Sequence, residues 1–404
     1  MKLKTAILLC SFLLALPAIA QKMSRYDLNK PFGWAICSSL TEVGTPVTGG
    51  SGGRKIVLRS DGGDMRERIM DAIQRYDVVV LDGRDGDFIV SSVMRFNDLT
   101  DKTVIGINGA RVSTAFKLSA DLRKMLDEKG VMRLPSSGDG QVHLLSNGHR
   151  VGEVREWAVR QAIIDANNDQ EESFRESGLF SFTHVSNVII RNLTLIGPGA
   201  VDVGGSDLMT ISGGSRHVWV DHCEFVDGMD GNFDINSFSD FITVSWCRFR
   251  YTENTYDHAN TNLVGSNDRA ESNGEDNLNI TFAYCNWAEG CNQRMPMVRF
   301  GTIHLLNNLY TCDNCGLAVN PRKNSEVLLE GCHFAPGVKN VFRESGAKSF
   351  EFRDNIVESD FRFPSPQGSV FIPYSYSPMP TAHVMTEVSR YAGATLKTPL
   401  KVSR

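Results

Sequence analysis

The chain has 404 residues, of which 41% are hydrophobic, 22% charged and 9% aromatic. This composition excludes a disordered polymer, a collagen and a small disulfide scaffold, and it allows one large domain or two smaller ones. The formal charge of −5 argues against a nucleic-acid-binding protein that works through bulk positive charge. The 36 glycines against 14 prolines favour a fold with many tight turns.

The beginning of the chain is typical of a signal peptide. Lys2 and Lys4 precede an apolar run, and an Ala-Ile-Ala sequence ending at Ala20 provides the small residues that a signal peptidase reads. The apolar run is too short to cross a bilayer, and no later segment approaches a membrane span. We therefore expect residues 1–20 to be a signal peptide, residues 21–404 to form one domain, and the protein to be exported, either secreted or periplasmic.

The next segments predict a helix followed by two strands. Apolar residues between Asp64 and Tyr76 recur with helical spacing, and Asp64 is suited to be the N-cap. The segments 77–82 and 103–108 are apolar and are predicted to be strands. The helix would cap the open end of a stack of strands, whose exposed edge otherwise promotes aggregation. Residues 115–178 hold charged, helix-favouring stretches, so we interpret them as an insertion or lid.

From residue 187 onward one pattern recurs: an alternating strand, then Asn or Cys, then a second short strand. The Asn or Cys residues of this pattern are Asn192, Cys223, Cys247, Cys285, Asn308, Cys332 and Asn355. The steps between them are 31, 24, 38, 23, 24 and 23 residues, which indicates one repeated coil with inserted loops. The pattern predicts an all-β solenoid of stacked strands. Residues 364–404 are irregular apart from an amphipathic stretch, Ala382–Tyr391, and are expected to cover the outside.

Eight cysteines follow the first twenty residues. Four of them occupy the repeated position, so we expect stacked interior thiols there, with disulfides between adjacent coils as the alternative. Cys312 and Cys315 form a C-x-x-C pair, but no second Cys or His pair stands at zinc-binding spacing. By analogy alone, we expect a disulfide between Cys291 and one member of that pair.

Three aspartates are candidates for a metal site. Asp207 opens a strand, Asp230 lies in a turn signal and Asp234 begins the next strand, so a turn can bring them onto one face. Carboxylates this close repel one another unless a cation neutralises them, and ligand oxygens alone favour a hard cation such as Ca²⁺. Nearby along the solenoid, Arg294 and Arg299 would suit a substrate that carries carboxylates. The alternative is that both sets are unrelated surface residues.

The remaining polar and aromatic candidates favour a structural interpretation. His222 and Asp221 lie next to a repeated position, which predicts hydrogen-bonded core residues rather than a catalyst. The tryptophans of the repeat are expected to be packing residues rather than sugar-binding platforms; they are Trp219, Trp246 and Trp287.

Several motifs stand in the same order as in one enzyme family. They are VWVDHCEF at 218–225, DGNFDI at 230–235, SDFITVSWCRF at 239–249, LVGSND at 263–268 and QRMPMVRFGTIHLLNNLY at 293–310. With these motifs the chain resembles the pectate lyases of polysaccharide lyase family 1, which are right-handed parallel β-helix enzymes. The resemblance implies that fold for this chain, with the predicted capping helix and a partly helical insertion.

The resemblance also implies roles for individual residues. It assigns three primary Ca²⁺ ligands, Asp207, Asp230 and Asp234. It makes Arg294 the catalytic base and Arg299 the partner of the substrate carboxylate. The sequence departs from the family at a substrate-binding position, where Asn260 stands in place of a Lys that family members often carry.

The chemistry implied by the resemblance is calcium-dependent cleavage of α-1,4-linked galacturonan by β-elimination. The implied partner is an acidic polysaccharide such as homogalacturonan. We expect the protein to act as a monomer, to bind no nucleic acid and to have no membrane span. One alternative is a polygalacturonase-type hydrolase, which would need acid and base carboxylates flanking the bond. The sequence contains no adjacent Asp-Asp pair and no Gly-His-Gly, which such hydrolases normally show. The other alternative is a non-catalytic β-helix that binds glycan.

Overall fold

The structure is a computed structural model. It describes residues 26, 29–128, 174–201, 205–256, 258–397 and 399, without the side chains of 125–128. The expected signal peptide, 1–20, lies outside the described residues, as do residues 129–173 of the expected insertion. Within the described ranges, no helix is both long and apolar enough to cross a membrane.

The strands form three parallel sheets, and the chain visits the sheets in turn. The first sheet has ten strands: Lys55–Arg59, Val78–Asp82, Thr100–Ile107, Ser186–Arg191, Arg216–Asp221, Asp240–Ser245, Ile280–Ala283, Thr302–Leu306, Glu326–Glu330 and Ser349–Arg353. The second has seven: Met94–Asn97, Phe180–Thr183, Met209–Ser212, Phe233–Ile235, Leu263–Val264, Met297–Val298 and Asn320–Pro321. The third has nine: Phe88–Val90, Arg111–Thr114, Thr194–Ile196, Glu224–Val226, Arg248–Arg250, Asn286–Trp287, Leu309–Tyr310, His333–Phe334 and Ile356–Val357.

A coil of the solenoid is one pass through the three sheets. Met209–Ser212 in the seven-stranded sheet is followed by Arg216–Asp221 in the ten-stranded sheet and by Glu224–Val226 in the nine-stranded sheet. The following coil pairs with it in parallel, with Met209 opposite Phe233 and Val218 opposite Ile242. The chain is therefore an all-β right-handed parallel β-helix, as predicted.

The repeated Asn and Cys residues form a ladder at the bend between the ten-stranded and nine-stranded sheets. The Asn308 side chain accepts from Cys285 N at 2.8 Å and donates to Phe282 O at 2.8 Å, so it joins neighbouring coils. A buried thiol replaces the amide elsewhere: Cys247 Sγ lies 3.7 Å from Val220 O on the preceding coil. Both side chains suit the bend because each reaches the backbone of an adjacent coil.

The aromatic side chains of the nine-stranded sheet stack along the axis inside the solenoid. Ring centroids of Phe225 and Phe249 lie 5.0 Å apart, those of Trp287 and Tyr310 4.8 Å, and those of Tyr310 and Phe334 4.2 Å. Each such pair contributes about 0.5–1.5 kcal/mol beyond burial of area. This column therefore holds successive coils in one register, on which the position of every loop depends.

The capping helix begins slightly later than predicted. It spans Arg66–Arg75 and buries Ile69 and Ile73 against the core. The N-cap is Met65, not Asp64, although the first N–H of the helix still donates to the Asp64 carboxylate. Its Oδ1 accepts from the backbone N–H groups of Arg66 and Ser91, at 3.0 and 3.1 Å.

The other helices lie outside the repeat. They are the α-helices Ala120–Glu128, Ala270–Asn273 and Thr381–Tyr391 and the 3₁₀ helices Gly33–Ile36, Gly83–Asp85 and Phe174–Glu176. The C-terminal helix matches the predicted amphipathic stretch and packs Val384 and Val388 on the outer face of the solenoid, beside Trp246 and Leu309.

The structural interpretations of His222, the tryptophans and four of the cysteines are confirmed. His222 is buried and its Nδ1 lies 2.8 Å from Asp221 Oδ2. The three tryptophans of the repeat are at most 1% exposed. The eight described cysteines are all free and buried, so the structure contains neither inter-coil disulfides nor the disulfide expected for Cys291.

Candidate active site

The predicted site residues come from loops that lead from the nine-stranded sheet into the seven-stranded sheet. Asp207 precedes Met209–Ser212, Asp230 precedes the next strand and Asp234 lies within that strand, Phe233–Ile235. Two backbone hydrogen bonds hold the loops together, from Leu208 N to Gly231 O at 3.1 Å and from Asp230 N to Ser206 O at 3.4 Å. The stacking of coils therefore brings aspartates from two coils to one edge of the seven-stranded sheet.

Asp207 and Asp234 converge over Gly231. A Cβ atom on Gly231 would lie 2.7 Å from Asp207 Oδ1 and 3.5 Å from Asp234 Oδ1. Thr210 donates to Asp207 Oδ2 at 3.1 Å, and the backbone N–H of Leu263 donates to Asp234 Oδ1 at 2.9 Å. The glycine leaves space between two oriented carboxylates, which a side chain at this position would fill.

Burial and mutual repulsion disfavour the charged forms of these two carboxyls. Burial raises the pKa of Asp207 well above its usual range, and the charges of Asp234 and Asp230 add to the increase. Burial also raises the pKa of Asp234 to about 7, although the Arg294 charge and the Leu263 N–H oppose the shift. A cation between the two would remove this electrostatic cost, so the donor set fits a hard oxygen-binding cation.

Asp230 makes a different contact. Its Oδ1 lies 2.9 Å from His258 Nε2, and its side chain is 41% exposed. Among the described residues, no group of three His, Cys, Asp or Glu side chains has, in its present geometry, the arrangement needed to hold a metal ion. For Asp230 to bind the same cation as the other two aspartates, its carboxylate would have to bind the ion and the His258 imidazole together, or give up the imidazole.

Asn260 lies beside this pair. Its Nδ2 is 3.0 Å from His258 Nε2, and its backbone oxygen accepts from the Tyr251 hydroxyl. Asn260 also forms an isolated parallel β-bridge with Gln293 on the next coil. Asn260 therefore lies at the candidate site, where it contributes an amide and no charge.

Arg294 stands in the equivalent loop, two coils beyond the Asp234 strand. Its backbone lies in the left-handed region, with φ of 60°, and its carbonyl accepts from Asn262 N at 2.7 Å. The residue is half-buried, and its charge acts on both Asp234 and Asp207. The structure therefore brings the predicted base into electrostatic contact with the predicted metal ligands.

Arg299 follows the strand Met297–Val298 on the same sheet. Its Nε donates to Asp268 Oδ1 at 2.6 Å and its Nη1 to Gly265 O at 2.9 Å. Burial lowers its pKa, and the charges of Arg322 and Arg294 lower it further, against the opposing effect of Asp268. The guanidinium groups of Arg294, Arg299 and Arg322 repel one another, as expected of a surface that binds an anion.

The sequence interpretation missed three residues at this edge: His258, Asp268 and Arg322. Arg322 follows Pro321, which pairs with Val298, so it occupies the position of Arg299 one coil later. Its Nε is buried and has no hydrogen-bond partner among the described residues. A signal for it was present, because it follows Arg299 by 23 residues, the base step of the repeat.

The fold and the site together define a parallel β-helix protein with neighbouring aspartates and arginines on one edge of its smallest sheet. A family model described as pectate lyase matches residues 160–397. A curated pectate trisaccharide-lyase from Thermotoga maritima is 27% identical over 300 residues, and a probable pectate lyase B from Aspergillus terreus is 33% identical over 233 residues. The chain therefore belongs to the pectate lyase family.

The alignments differ in how much of each protein they cover. The Thermotoga alignment covers 74% of this chain and 62% of the relative, so the chain spans less than two thirds of that protein's length. The Aspergillus alignment covers 54% of this chain and 67% of the relative.

Two solved structures have the same fold. A Bacillus sp. N165 pectate lyase in complex with trigalacturonate superposes with a TM-score of 0.59 at 18% identity, covering 90% of this chain and 98% of the other. Pectate lyase C from Erwinia chrysanthemi, determined with Ca²⁺, gives 0.56 at 18% identity, covering 89% and 97%. At this level of identity the likeness concerns the fold.

Proposed function

We propose that the protein is a calcium-dependent pectate lyase that cleaves α-1,4-linked galacturonan by β-elimination. The observation that carries the proposal is the convergence of Asp207 and Asp234 over Gly231, with the Arg294 charge acting on both. Family membership supports the same chemistry. The arginines supply the positive charge that an acidic polymer requires, although the whole chain carries −5.

In this proposal the aspartates hold the cation and the arginines act on the sugar. Asp207, Asp234 and Asp230 are the Ca²⁺ ligands, and Asp230 keeps its contact with His258 through Oδ1. When bound, Ca²⁺ would neutralise the C6 carboxylate of the galacturonate at the cut bond. Arg299 is the partner of that carboxylate, and its bond to Asp268 fixes the direction of its side chain. Asn260 supplies a hydrogen-bonding amide at the family's lysine position.

Arg294 is the proposed base. Acting as the neutral guanidine, it takes the C5 proton, the electron pair forms a C4–C5 double bond, and the bond from C4 to the glycosidic oxygen breaks. The leaving oxygen takes a proton from solvent. The loop directs Arg294 because both polar groups of the peptide unit that follows it are bound: Arg294 O accepts from Asn262 N at 2.7 Å, and Met295 N donates to Ala318 O at 2.8 Å.

We further propose that the protein is exported and works as a monomer. Lys2, Lys4 and the apolar run after them support export. Size-exclusion chromatography with light scattering tests the monomeric state.

The deciding assay uses polygalacturonate with calcium and then with chelator. A lyase produces ultraviolet absorbance from the unsaturated product, and chelation abolishes it. New reducing ends without this absorbance would identify a hydrolase. Binding of polygalacturonate without any product would identify a non-catalytic glycan-binding protein.

A further inference from the structure

The segment that carries Arg294 rests on a tight turn that holds two buried thiols. Cys312 and Cys315 flank the turn residues Asp313 and Asn314, and Asn314 adopts φ of 51°. Cys312 is 0% and Cys315 2% exposed. The ends of such a turn have Cα atoms less than about 7 Å apart, which is within the range that a disulfide spans.

We propose that Cys312 and Cys315 are the site of an intramolecular disulfide that stabilises the loop beneath Arg294. Cys315 is the partner because it meets the Cys312 thiol across the turn: the neighbouring thiol raises the pKa of Cys312, as does its burial. Cys291 is the less suitable partner, since its Sγ is directed at Phe249 O, 3.2 Å away.

The turn is physically coupled to the Arg294 segment. Cys312 Sγ lies 3.5 Å from the Sδ atom of Met295, the residue after Arg294. Directly beyond the turn, Gly316 N donates to Asn292 O at 2.8 Å and to Asn292 Oδ1 at 2.7 Å. Ala318 O accepts from Met295 N at 2.8 Å. Restricting the turn therefore restricts the backbone on both sides of Arg294.

This support matters because Arg294 has a left-handed backbone, which residues other than glycine adopt only when their surroundings hold them there. In the bond-forming step, two S–H bonds break and one S–S bond forms. The two protons and two electrons pass to a disulfide oxidant such as oxidised glutathione, which becomes two thiols. Because both thiols are buried, the bond is expected to form as the chain folds.

The primary test is refolding of the full-length protein in glutathione buffers, from fully reduced to mostly oxidised, followed by acid quenching, unfolding and alkylation. Mass spectrometry is expected to show Cys312 and Cys315 protected together in oxidising buffer and recovered after reduction. Cys223 and Cys247 serve as internal controls and are expected to stay alkylated. Equal labelling of all these cysteines, or pairing of Cys291 with either thiol, would overturn the proposal.

A second measurement tests the effect on the loop. The oxidised protein is expected to unfold several degrees higher than the reduced protein, and Cys315→Ala is expected to remove this dependence while Cys332→Ala retains it. The same thermal midpoint for both redox forms would contradict the stabilising role. Under the proposed function, the disulfide is also expected to raise kcat. Labelling and unfolding need no activity, so they decide the disulfide even if the protein is not a lyase.

Discussion

The imidazole of His258 contacts the carboxylate of Asp230, with 2.9 Å between Nε2 and Oδ1. His258 therefore positions one of the three carboxylates proposed to bind calcium. Asn260 extends this contact, because its amide lies 3.0 Å from the same imidazole nitrogen. The candidate site thus contains a small polar network formed by Asp230, His258 and Asn260.

We expect His258→Ala to weaken the apparent calcium affinity about tenfold, because partners that orient metal ligands contribute roughly 10–100-fold. Isothermal titration with calcium, without substrate, measures this directly. His333→Ala is the control, since His333 pairs with Glu358 on another face of the solenoid. An unchanged affinity would show that Asp230 needs no orientation by the imidazole.

Asp234→Asn is expected to separate metal binding from folding. Without calcium the variant should be at least as stable as the unchanged protein, because it removes a charge from a repelling pair. With calcium at about 100 times its Kd, the unchanged protein should gain about 2.7 kcal/mol and the variant much less. Thermal unfolding with and without chelator provides the comparison, with Asp268→Asn as the control. Equal stabilisation of both proteins by calcium would exclude Asp234 as a ligand.

Arg294→Lys tests the proposed base. We expect turnover to fall about 100-fold or more, as is typical for loss of a general base, while polygalacturonate still binds in the presence of calcium. The measurements are steady-state ultraviolet kinetics and a separate binding assay. Arg248→Lys, on the nine-stranded sheet, is the matched control. Turnover within a few-fold of the unchanged protein would assign proton removal to another group.

Arg322→Gln is expected to raise KM several-fold with little change in kcat, because Arg322 lies one coil beyond Arg299 and would contact substrate away from the reacting bond. The effect should weaken at high ionic strength, where a guanidinium–carboxylate attraction is screened. Lys339→Gln is the control for a change in overall charge. A fall in kcat at constant KM would place Arg322 in the reaction itself.

Asp240 predicts a pH dependence of stability that is independent of the active site. Burial raises its pKa to about 6, although Asn279 and the Phe241 N–H donate to it. Its folded-state pKa exceeds the unfolded value, so it favours folding at low pH and this contribution is lost as pH rises through about 6.

Asp240→Asn should therefore gain stability relative to the unchanged protein as pH rises. We expect a relative gain of about 2 kcal/mol between about pH 4 and about pH 8. Denaturant unfolding at a series of pH values measures it, and Asp276→Asn is the control. Parallel stability curves for the two proteins would show that Asp240 does not titrate in this range.

Local patterns were sufficient to predict the solenoid. The alternating strands and the Asn or Cys residues recur along the chain, with a base step of 23 or 24 residues that is lengthened twice, so successive coils predict the same structure. The C-terminal helix could also be predicted from the sequence, because its amphipathic spacing is a local pattern. The start of the first helix was off by one residue, and the Asp64 carboxylate binds Ser91 N as well as Arg66 N, a contact between distant segments.

The sequence by itself determined the coil, its interior ladder and, through the family motifs, the identity of the main candidate site residues. Tertiary structure decided which side chains meet. Asp207 and Asp234 converge because Thr210 lies opposite Asp234 in the parallel register, and His258 reaches Asp230 from a loop of different length. Such contacts depend on the stacking of coils and on inserted loops, which no pattern within a single segment records.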